Sequence, residues 1–136
     1  AKFHPGGSIG RKLLTTVDSI MTKDNLPICN RGVTIKNVIH KITDGKCGLV
    51  IVLDKGDLIG VITDGDIRRF METHEEQFFQ LTTSDLMTKT PITIRHNEKI
   101  TFASQMMYSS EIGALIVINE YNAVVGIIQS HQIESI

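Results

Sequence analysis

Residues 60–69 read Gly-Val-Ile-Thr-Asp-Gly-Asp-Ile-Arg-Arg, and they mark the passage from an apolar strand into a helix. The strand ends at Ile62, and a polar turn follows it. Thr63 or Asp64 can cap the helix by accepting hydrogen bonds from its first free backbone amides. A helix start of this kind favours anions and offers N–H donors. The stretch is therefore either a plain strand–turn–helix or part of a binding site.

The charged side chains after the turn suit a ligand with hydroxyl groups at one end and a phosphate at the other. Asp66 is a hydrogen-bond acceptor near the predicted helix start. Arg68 and Arg69 follow it as cationic donors, which can meet a phosphate. Local sequence alone favours neither this interpretation nor the one in which these side chains only cap the helix.

The turn belongs to an internal tandem repeat. Five blocks of the chain recur in order at an offset of 64 to 66 residues, and chance does not keep a register across five blocks. The matched blocks are residues 17–22 with 83–88, 27–28 with 91–92, 33–38 with 98–103, 48–54 with 113–119, and 60–62 with 126–128.

Each repeat predicts a β-α-β-β-α order after a Met-Thr turn. The later two strands are apolar at nearly every position, which predicts burial of both their faces. The first repeat predicts a strand near residues 28–29, a helix with apolar positions Ile35, Val38, Ile39 and Ile42, strands 49–53 and 58–62, and a helix 64–71. The second predicts a strand 92–94, a helix with apolar positions Ile100, Phe102, Ala103, Met106 and Met107, strands 114–118 and 123–128, and a helix 129–136.

One such unit cannot cover both faces of its own sheet. We therefore expect an α/β (α+β) fold in which two β-α-β-β-α units pack sheet to sheet with approximate two-fold pseudosymmetry. Clefts arise where two units of this kind meet, and pockets are common there. Between the repeats, the apolar end of residues 72–81 predicts a short helix on the core, with a partner-docking patch as the alternative.

Composition excludes several classes of function. A length of 136 residues fits one compact domain or two tightly packed halves, and a net charge of −1 argues against a nucleic-acid partner. Hydrophobic residues make up 41% and charged residues 21%, as in soluble globular proteins. No apolar run approaches about 18 residues, and no signal peptide is recognisable. We expect a cytoplasmic protein that does not contact membranes.

The cysteines and histidines do not predict a metal site. Cys29 and Cys47 are isolated beside apolar runs, so we expect buried free thiols in a reducing compartment. His40, His74 and His96 share no metal-ligand spacing. His131 is expected to be polar surface, although one histidine can also serve as a phosphate or metal ligand.

A tandem of β-α-β-β-α units, each opened by Ile/Leu-Met-Thr and the first closed by Gly-Val-Ile-Thr-Asp-Gly-Asp, resembles a CBS domain pair over about residues 16–136. The resemblance implies a first CBS domain at 17–72, a connector at 73–82 and a second CBS domain at 83–136. Residues 1–16 are then a linker from an upstream domain. The first residue is not Met, which fits a chain cut from a longer protein.

Residues 4–14, His-Pro-Gly-Gly-Ser-Ile-Gly-Arg-Lys-Leu-Leu, resemble the join between a sugar isomerase (SIS) domain and the CBS pair in the D-arabinose-5-phosphate isomerases. Members of that family interconvert ribulose 5-phosphate and arabinose 5-phosphate for 3-deoxy-D-manno-octulosonate, a sugar of lipopolysaccharide and capsules. The SIS domain is missing here, so the resemblance implies an aldose–ketose isomerase as the longer protein and no catalysis by this chain. In such isomerases a histidine of the join contributes to the active site, and His4 is the candidate.

The resemblance also implies which residues bind a ligand. Thr63 and Asp66 match the family motif whose side chains contact a ribose, and a carboxylate can accept bonds from two vicinal hydroxyls. The base is expected between segments of both repeats, and cations are expected at the phosphate. The base candidates are Thr90, Pro91, Ile92, Gly113, Ala114 and Leu115, and the phosphate candidates are Lys46, Arg68 and Arg69.

The second repeat departs from the motif. Gln129 stands where Thr63 stands in the first repeat, and Gln132 stands where Asp66 does. A neutral amide is a weaker partner for a diol than a carboxylate. We therefore expect one competent and one degenerate cleft, and we infer that the fold itself does not require Thr63 and Asp66.

Three functions remain open. The first is a regulatory module that senses a nucleotide, either an adenine nucleotide (AMP or ATP) or the pathway product CMP-3-deoxy-D-manno-octulosonate, and biases the isomerase sites of its own SIS domain. The second is a structural dimerisation module without a ligand, in which two CBS pairs associate and the longer protein is a dimer or tetramer. The third is catalysis by this chain, whose sequence offers no metal cluster, no nucleophile–base pair and no paired carboxylates in one motif beyond Asp64 and Asp66. We expect no catalytic cofactor.

Overall fold

The computed structural model describes residues 8–136, and the predicted role of His4 lies outside these residues. The chain forms two compact units. One consists of residues 25–91, and the other combines residues 8–24 with residues 92–136. The chain therefore passes from one unit to the other twice.

The elements follow the predicted order in both repeats. In the first repeat region they are α1 (Ser8–Leu14), α2 (Val17–Ile20), β1 (Ile28–Asn30), α3 (Ile35–Gly45), β2 (Leu49–Asp54), β3 (Asp57–Thr63) and α4 (Asp64–His74). A 3-10 helix (Glu75–Gln80) follows, and then come α5 (Thr83–Leu86), β4 (Thr93–Arg95), α6 (Ile100–Ser110), β5 (Ala114–Ile118), β6 (Val124–Gln129) and α7 (Ser130–Glu134).

Each unit holds one three-stranded sheet. The strand orders are β1-β2-β3 and β4-β5-β6, with the first pair parallel and the second antiparallel in both sheets. The register shifts at equivalent places, after Val52 in one sheet and after Val117 in the other. The two sheets confirm the tandem β-α-β-β-α repeat.

Burial separates the central strands from the edge strands. In β2 the first four side chains are buried, and in β5 the three central ones are. In β3, however, Gly60 and Ile62 are buried while Ile59 and Val61 are only half-buried. The prediction that both faces are buried is therefore right for β2 and β5 and wrong for β3, which lies at the edge of its sheet.

The buried faces of helices α3 and α6 agree to different degrees with the apolar positions that the sequence predicts. In α3, Ile35, Val38 and Ile42 are buried, as their spacing of three and four predicts. In α6 the prediction was wrong for Phe102, whose surface is 45% exposed. Two residues rotate a helix by about 200°, so Phe102 lies opposite the buried Ile100.

The predicted bounds shift by a few residues at the ends of several elements. The helix α4 continues three residues beyond the predicted end at Met71, α7 is shorter than 129–136, and β4 begins one residue later than predicted. The 3-10 helix fully buries Phe78 but leaves Phe79 largely exposed. The predicted short helix on the core is thus present, and Phe78 is its anchor.

The Met-Thr segments decide how the chain divides into units. Thr22 exchanges two backbone hydrogen bonds with Ile127, at 2.9 and 3.0 Å, and Thr88 does the same with Val61, at 2.9 and 3.1 Å. Each segment therefore pairs with the last strand of the other sequence repeat. The compact units therefore differ from the sequence repeats. Each repeat contributes its opening segment to the unit that holds the sheet of the other repeat.

Glycine makes this exchange possible at both places. A Cβ atom on Gly60 would lie 2.6 Å from the Met87 sulfur and 2.9 Å from the Thr88 carbonyl oxygen. A Cβ atom on Gly126 would lie 2.6 Å from the Met21 sulfur. Any larger residue would push the Met-Thr segment away from its strand.

We expect Gly60→Ala to lower the free energy of unfolding by about 1–3 kcal/mol, because the added methyl overpacks a contact with backbone atoms. Urea denaturation of the intact chain measures this loss. Gly113→Ala is the matched control, since its Cβ would have only the Ser130 hydroxyl nearby, at 3.9 Å. A loss for Gly60→Ala as small as the control's, within about 0.5 kcal/mol, would contradict the account of the segment exchange.

A small polar cluster holds α2 in the unit that contains β4. The Asp18 carboxylate accepts a hydrogen bond from the Thr16 hydroxyl and lies 3.1 Å from Nδ1 of His96. Glu120 lies 3.6 Å from the other ring nitrogen of His96. The Thr16 hydrogen bond, with smaller contributions from His96, holds the pKa of Asp18 below its ordinary value of 3.8.

The pH dependence of stability tests this cluster. Because the folded-state pKa of Asp18 is lowered, its contribution is complete above pH 3.8 and is lost as the pH falls through the folded-state pKa. We expect Asp18→Asn to cost at most about 1 kcal/mol at pH 7 and nothing once Asp18 is protonated. Urea denaturation at pH 7 and at pH 2, well below 3.8, measures both, with the exposed Asp24→Asn as control. An equal cost at both pH values would refute the role of the Asp18 charge.

Candidate functional site at the start of helix α4

The turn between β3 and α4 is closed by a reciprocal pair of hydrogen bonds. Thr63 is the N-cap of α4, and its hydroxyl accepts a bond from the backbone N–H of Asp66 at 3.2 Å. The Asp66 carboxylate accepts one in return from the backbone N–H of Thr63, at 2.9 Å. This capping box satisfies two amides that the first helical turn would otherwise leave unpaired.

The second carboxylate oxygen of Asp66 is paired with the guanidinium of Arg69. The Asp66 side chain is only 10% exposed, whereas that of Arg69 is 68% exposed. The guanidinium folds back over the first helical turn, where it would lie 3.2 Å from a Cβ atom on Gly65. Both oxygens of Asp66 are thus engaged, one by the backbone and the other by a largely solvated cation.

The glycine before β2 completes the turn, and the sequence interpretation missed it. The Gly48 carbonyl accepts a hydrogen bond from the Asp64 N–H at 2.9 Å. In the other unit the Gly113 carbonyl accepts one from Ser130 at 3.0 Å. Gly48 and Gly113 stand at matching positions of the two repeats, and this match could have identified the contact from the sequence.

The second turn is capped by different side chains. The carbonyl oxygen of the Gln132 side chain accepts a hydrogen bond from the Gln129 N–H at 2.8 Å. Gln132 thus accepts at this turn the hydrogen bond that Asp66 accepts at the first, so the turn forms without Thr and Asp but not without a capping side chain. Thr63 and Asp66 stabilise α4 whatever else they do.

The side-chain nitrogen of Gln132 makes two further hydrogen bonds. It donates to the Thr22 hydroxyl at 3.0 Å and to the Ile20 carbonyl at 3.3 Å. His131 is exposed, and its ring lies 3.0 Å from the side-chain oxygen of Gln129. The polar atoms of the second turn thus satisfy one another, without a charged group.

The other predicted phosphate ligands lie in the same unit as Asp66. Lys46 ends α3 in a left-handed conformation (φ 55°) and is exposed. Arg68 is also exposed, and the ion pairs found between residues 8 and 136 include neither of these two cations. Thr90 is exposed and Pro91 half-buried at the end of this unit.

The remaining predicted base contacts belong to the other unit. Ile92 and Gly113 are exposed there, and Ala114 is half-buried at the start of β5. Leu115 is only 1% exposed, and its side chain is part of the core. The side chain of Leu115, one of the base candidates, therefore offers no accessible surface to a ligand.

The cysteines are both free thiols, but they differ in burial. Cys29 is buried in the core, as predicted, and burial raises the pKa of its thiol. Cys47 is only half-buried, so the prediction of full burial is wrong there. Within residues 8–136, no group of three or more His, Cys, Asp or Glu side chains is placed to hold a metal ion. None of the helices described is long and apolar enough to cross a membrane.

Comparison of the sequence with known proteins identifies a family and related proteins. The family model of the CBS domain matches residues 17–73 and 84–133. Arabinose 5-phosphate isomerase KpsF of Escherichia coli is 41% identical over 130 residues, which cover 95% of this chain and 39% of the relative. The chain thus spans about two fifths of the length of this curated relative.

Solved structures share the fold. The CBS domain pair of protein MJ0100, solved with 5′-methylthioadenosine and S-adenosyl-L-methionine, superposes with a TM-score of 0.78 at 24% identity, covering 89% of this chain and 94% of that one. CBSX2, solved in complex with AMP, superposes with a TM-score of 0.76 at 20% identity, covering 88% and 93%. At these identities the similarity establishes the fold.

The capping box makes a prediction about stability. We expect Asp66→Ala to lower the free energy of unfolding by about 1–2 kcal/mol, because it removes the acceptor for the Thr63 N–H. Asp64→Ala is the matched control in the same helical turn, since Asp64 is exposed and outside the box, and it should change stability by less than about 0.5 kcal/mol. Equal effects of the two substitutions in urea denaturation would show that the box does not hold the helix start.

Proposed function

The chain belongs to the CBS domain family, and on that premise we propose that it is the nucleotide-sensing regulatory module of an arabinose-5-phosphate isomerase. The observation that carries the proposal is the buried Asp66 carboxylate, which lies beside Thr63 and is paired with an exposed arginine. A buried carboxylate at the start of a helix can accept a hydrogen bond from a ribose hydroxyl once its second oxygen is released. The exposed cations nearby suit the phosphate.

Two classes of ligand fit this arrangement. Adenine nucleotides are the first, because CBSX2 was solved with AMP and the CBS domain pair of MJ0100 with 5′-methylthioadenosine and S-adenosyl-L-methionine. CMP-3-deoxy-D-manno-octulosonate is the second, because it carries a ribose, a phosphate and a carboxylate and is a later product of the isomerase pathway. We propose that Lys46, Arg68 and Arg69, which lie in the same unit as Asp66, supply positive charge to the phosphate.

We propose that the isomerase activity belongs to a longer protein with an upstream SIS domain. The support is the KpsF relative, of which this chain covers 39%. That protein would interconvert ribulose 5-phosphate and arabinose 5-phosphate in the cytoplasm, with His4 near its active site. A ligand in the CBS pair could change the isomerase rate only if it bound two arrangements of the protein with different affinities.

A structural dimerisation module is the alternative, and one observation favours it. The helix α6 presents Phe102 and Tyr108 to solvent, with Tyr108 88% exposed. Exposed aromatic side chains on one helix are typical of surfaces that associate. In this alternative the turn at Asp66 is only a helix cap.

Calorimetry on the intact chain with AMP, ATP, CMP and CMP-3-deoxy-D-manno-octulosonate tests the sensing proposal. We expect at least one of them to bind, and Asp66→Asn to weaken that binding by roughly tenfold or more, because a neutral amide replaces the charged acceptor. Gln132→Ala, at the equivalent place in the other unit, should bind as the unsubstituted chain does.

Absence of binding by all four nucleotides would overturn the sensing proposal. Sedimentation of the chain with and without nucleotide then addresses the alternative. A stable dimer that Phe102→Glu dissociates, in a chain that binds none of the four, would establish the dimerisation module instead.

A further inference from the structure

The Asp66 carboxylate faces an intramolecular competitor. One of its oxygens is fixed by the Thr63 backbone N–H at 2.9 Å, which leaves the second as the acceptor that a ligand hydroxyl could use. That second oxygen is paired with Arg69. A ligand that places a hydroxyl on this oxygen therefore competes with the Arg69 guanidinium for it.

The two partners of this ion pair differ in how easily they leave it. Asp66 is buried and fixed in the capping box, so it cannot turn toward solvent. Arg69 has a long side chain that is 68% exposed, so its guanidinium can swing into water by rotating about its own bonds. The arginine is thus the movable member of the pair.

Displacing Arg69 is unfavourable for a neutral ligand. A hydroxyl would replace a charge-assisted hydrogen bond by one with no positive charge, and a buried carboxylate left without a counter-ion is poorly solvated. A ligand that also carries a phosphate changes this balance, because the phosphate gives the released guanidinium a new anionic partner. The arginine would then bridge the carboxylate and the phosphate or move fully to the phosphate.

The start of helix α4 cannot attract a phosphate without a cation beside it. Asp64 and Asp66 already place two negative charges in the first turn of α4, which meets the preference of a helix N-terminus for anions. An incoming phosphate would be repelled by these carboxylates unless a cation stood between them. The guanidinium of Arg69, folded back over Gly65, is in that place.

The second unit provides an internal comparison. The residue equivalent to Asp66 is the neutral Gln132, and the residue equivalent to Arg69, 66 positions later, is Ser135. Gln132 satisfies its own amide within the unit by donating to Thr22 and Ile20. The arginine thus accompanies the carboxylate and is missing where the capping side chain has no charge.

We propose that Arg69 is a displaceable counter-ion that makes the Asp66 turn select phosphorylated nucleosides over nucleosides. The inference rests on the proposed function, because it concerns the ligand of the same turn. It assigns Arg69 a specificity role that the fold alone does not require, since the capping box of Thr63 and Asp66 forms without the guanidinium.

Paired ligands that differ by one phosphate test the proposal. Calorimetry compares adenosine with AMP, and cytidine with CMP, on the intact chain and on Arg69→Gln. In the unsubstituted chain we expect the monophosphate to bind roughly tenfold or more tightly than its nucleoside. In Arg69→Gln the monophosphate should weaken by a similar factor, while the nucleoside binds as well as before or better, because its competitor for Asp66 is gone.

Two further variants separate selectivity from a structural effect. Lys36→Gln removes an exposed cation of the same unit that has no part in the proposed site, and it should leave the ratio of the two affinities unchanged. Arg69→Lys keeps a charge without the planar fork and should restore part of the preference for the monophosphate. Thermal unfolding of each variant shows whether it is folded at the temperature of the binding measurement.

The possible outcomes are distinct. If a nucleotide binds and the ratio survives in Arg69→Gln, or if nucleoside and monophosphate weaken equally, the role of Arg69 is refuted while the sensing proposal stands. If neither nucleosides nor nucleotides bind the unsubstituted chain, the proposed function fails and this inference fails with it. Loss of the ratio in Arg69→Gln alone supports the proposal.

Discussion

The close approach of each Met-Thr segment to a strand glycine is the constraint on which the architecture depends. Thr88 pairs with Val61 beside Gly60, and Thr22 pairs with Ile127 beside Gly126. These contacts carry the opening of each repeat into the unit of the other. They also bring Thr22 within hydrogen-bonding distance of Gln132, so that the exchange of segments decides which polar groups surround the start of α7.

Much of the fold follows from periodicity in the sequence. The repeat offset and the apolar runs predict two sheets with the same strand order, and the spacing of Ile35, Val38 and Ile42 predicts the buried stripe of α3. The exchange of segments does not follow, because a repeat pattern does not say which sheet receives a Met-Thr turn. Phe102 was misplaced because α6 carries more apolar residues than one stripe can bury.

The position of the candidate site was predictable from the sequence, but the hydrogen-bond partners of its side chains were not. The Thr-x-x-Asp spacing is that of a capping box and also that of a hydroxyl acceptor, so sequence alone located Thr63 and Asp66 without separating the two tasks. The structure shows both side chains in the first task, with Arg69 held on the remaining carboxylate oxygen. Stabilising a helix start and binding a ligand are compatible here, because the ligand would replace the arginine and leave the cap in place.

Nuclear magnetic resonance of the intact chain titrated with AMP and with CMP-3-deoxy-D-manno-octulosonate tests the central claim most directly. The account predicts that the backbone amides of residues 63–69 and the guanidinium signal of Arg69 shift on binding, while those of residues 129–135 respond less. Shifts confined to residues 129–135, or no shift with either ligand, would contradict a ligand site at Asp66.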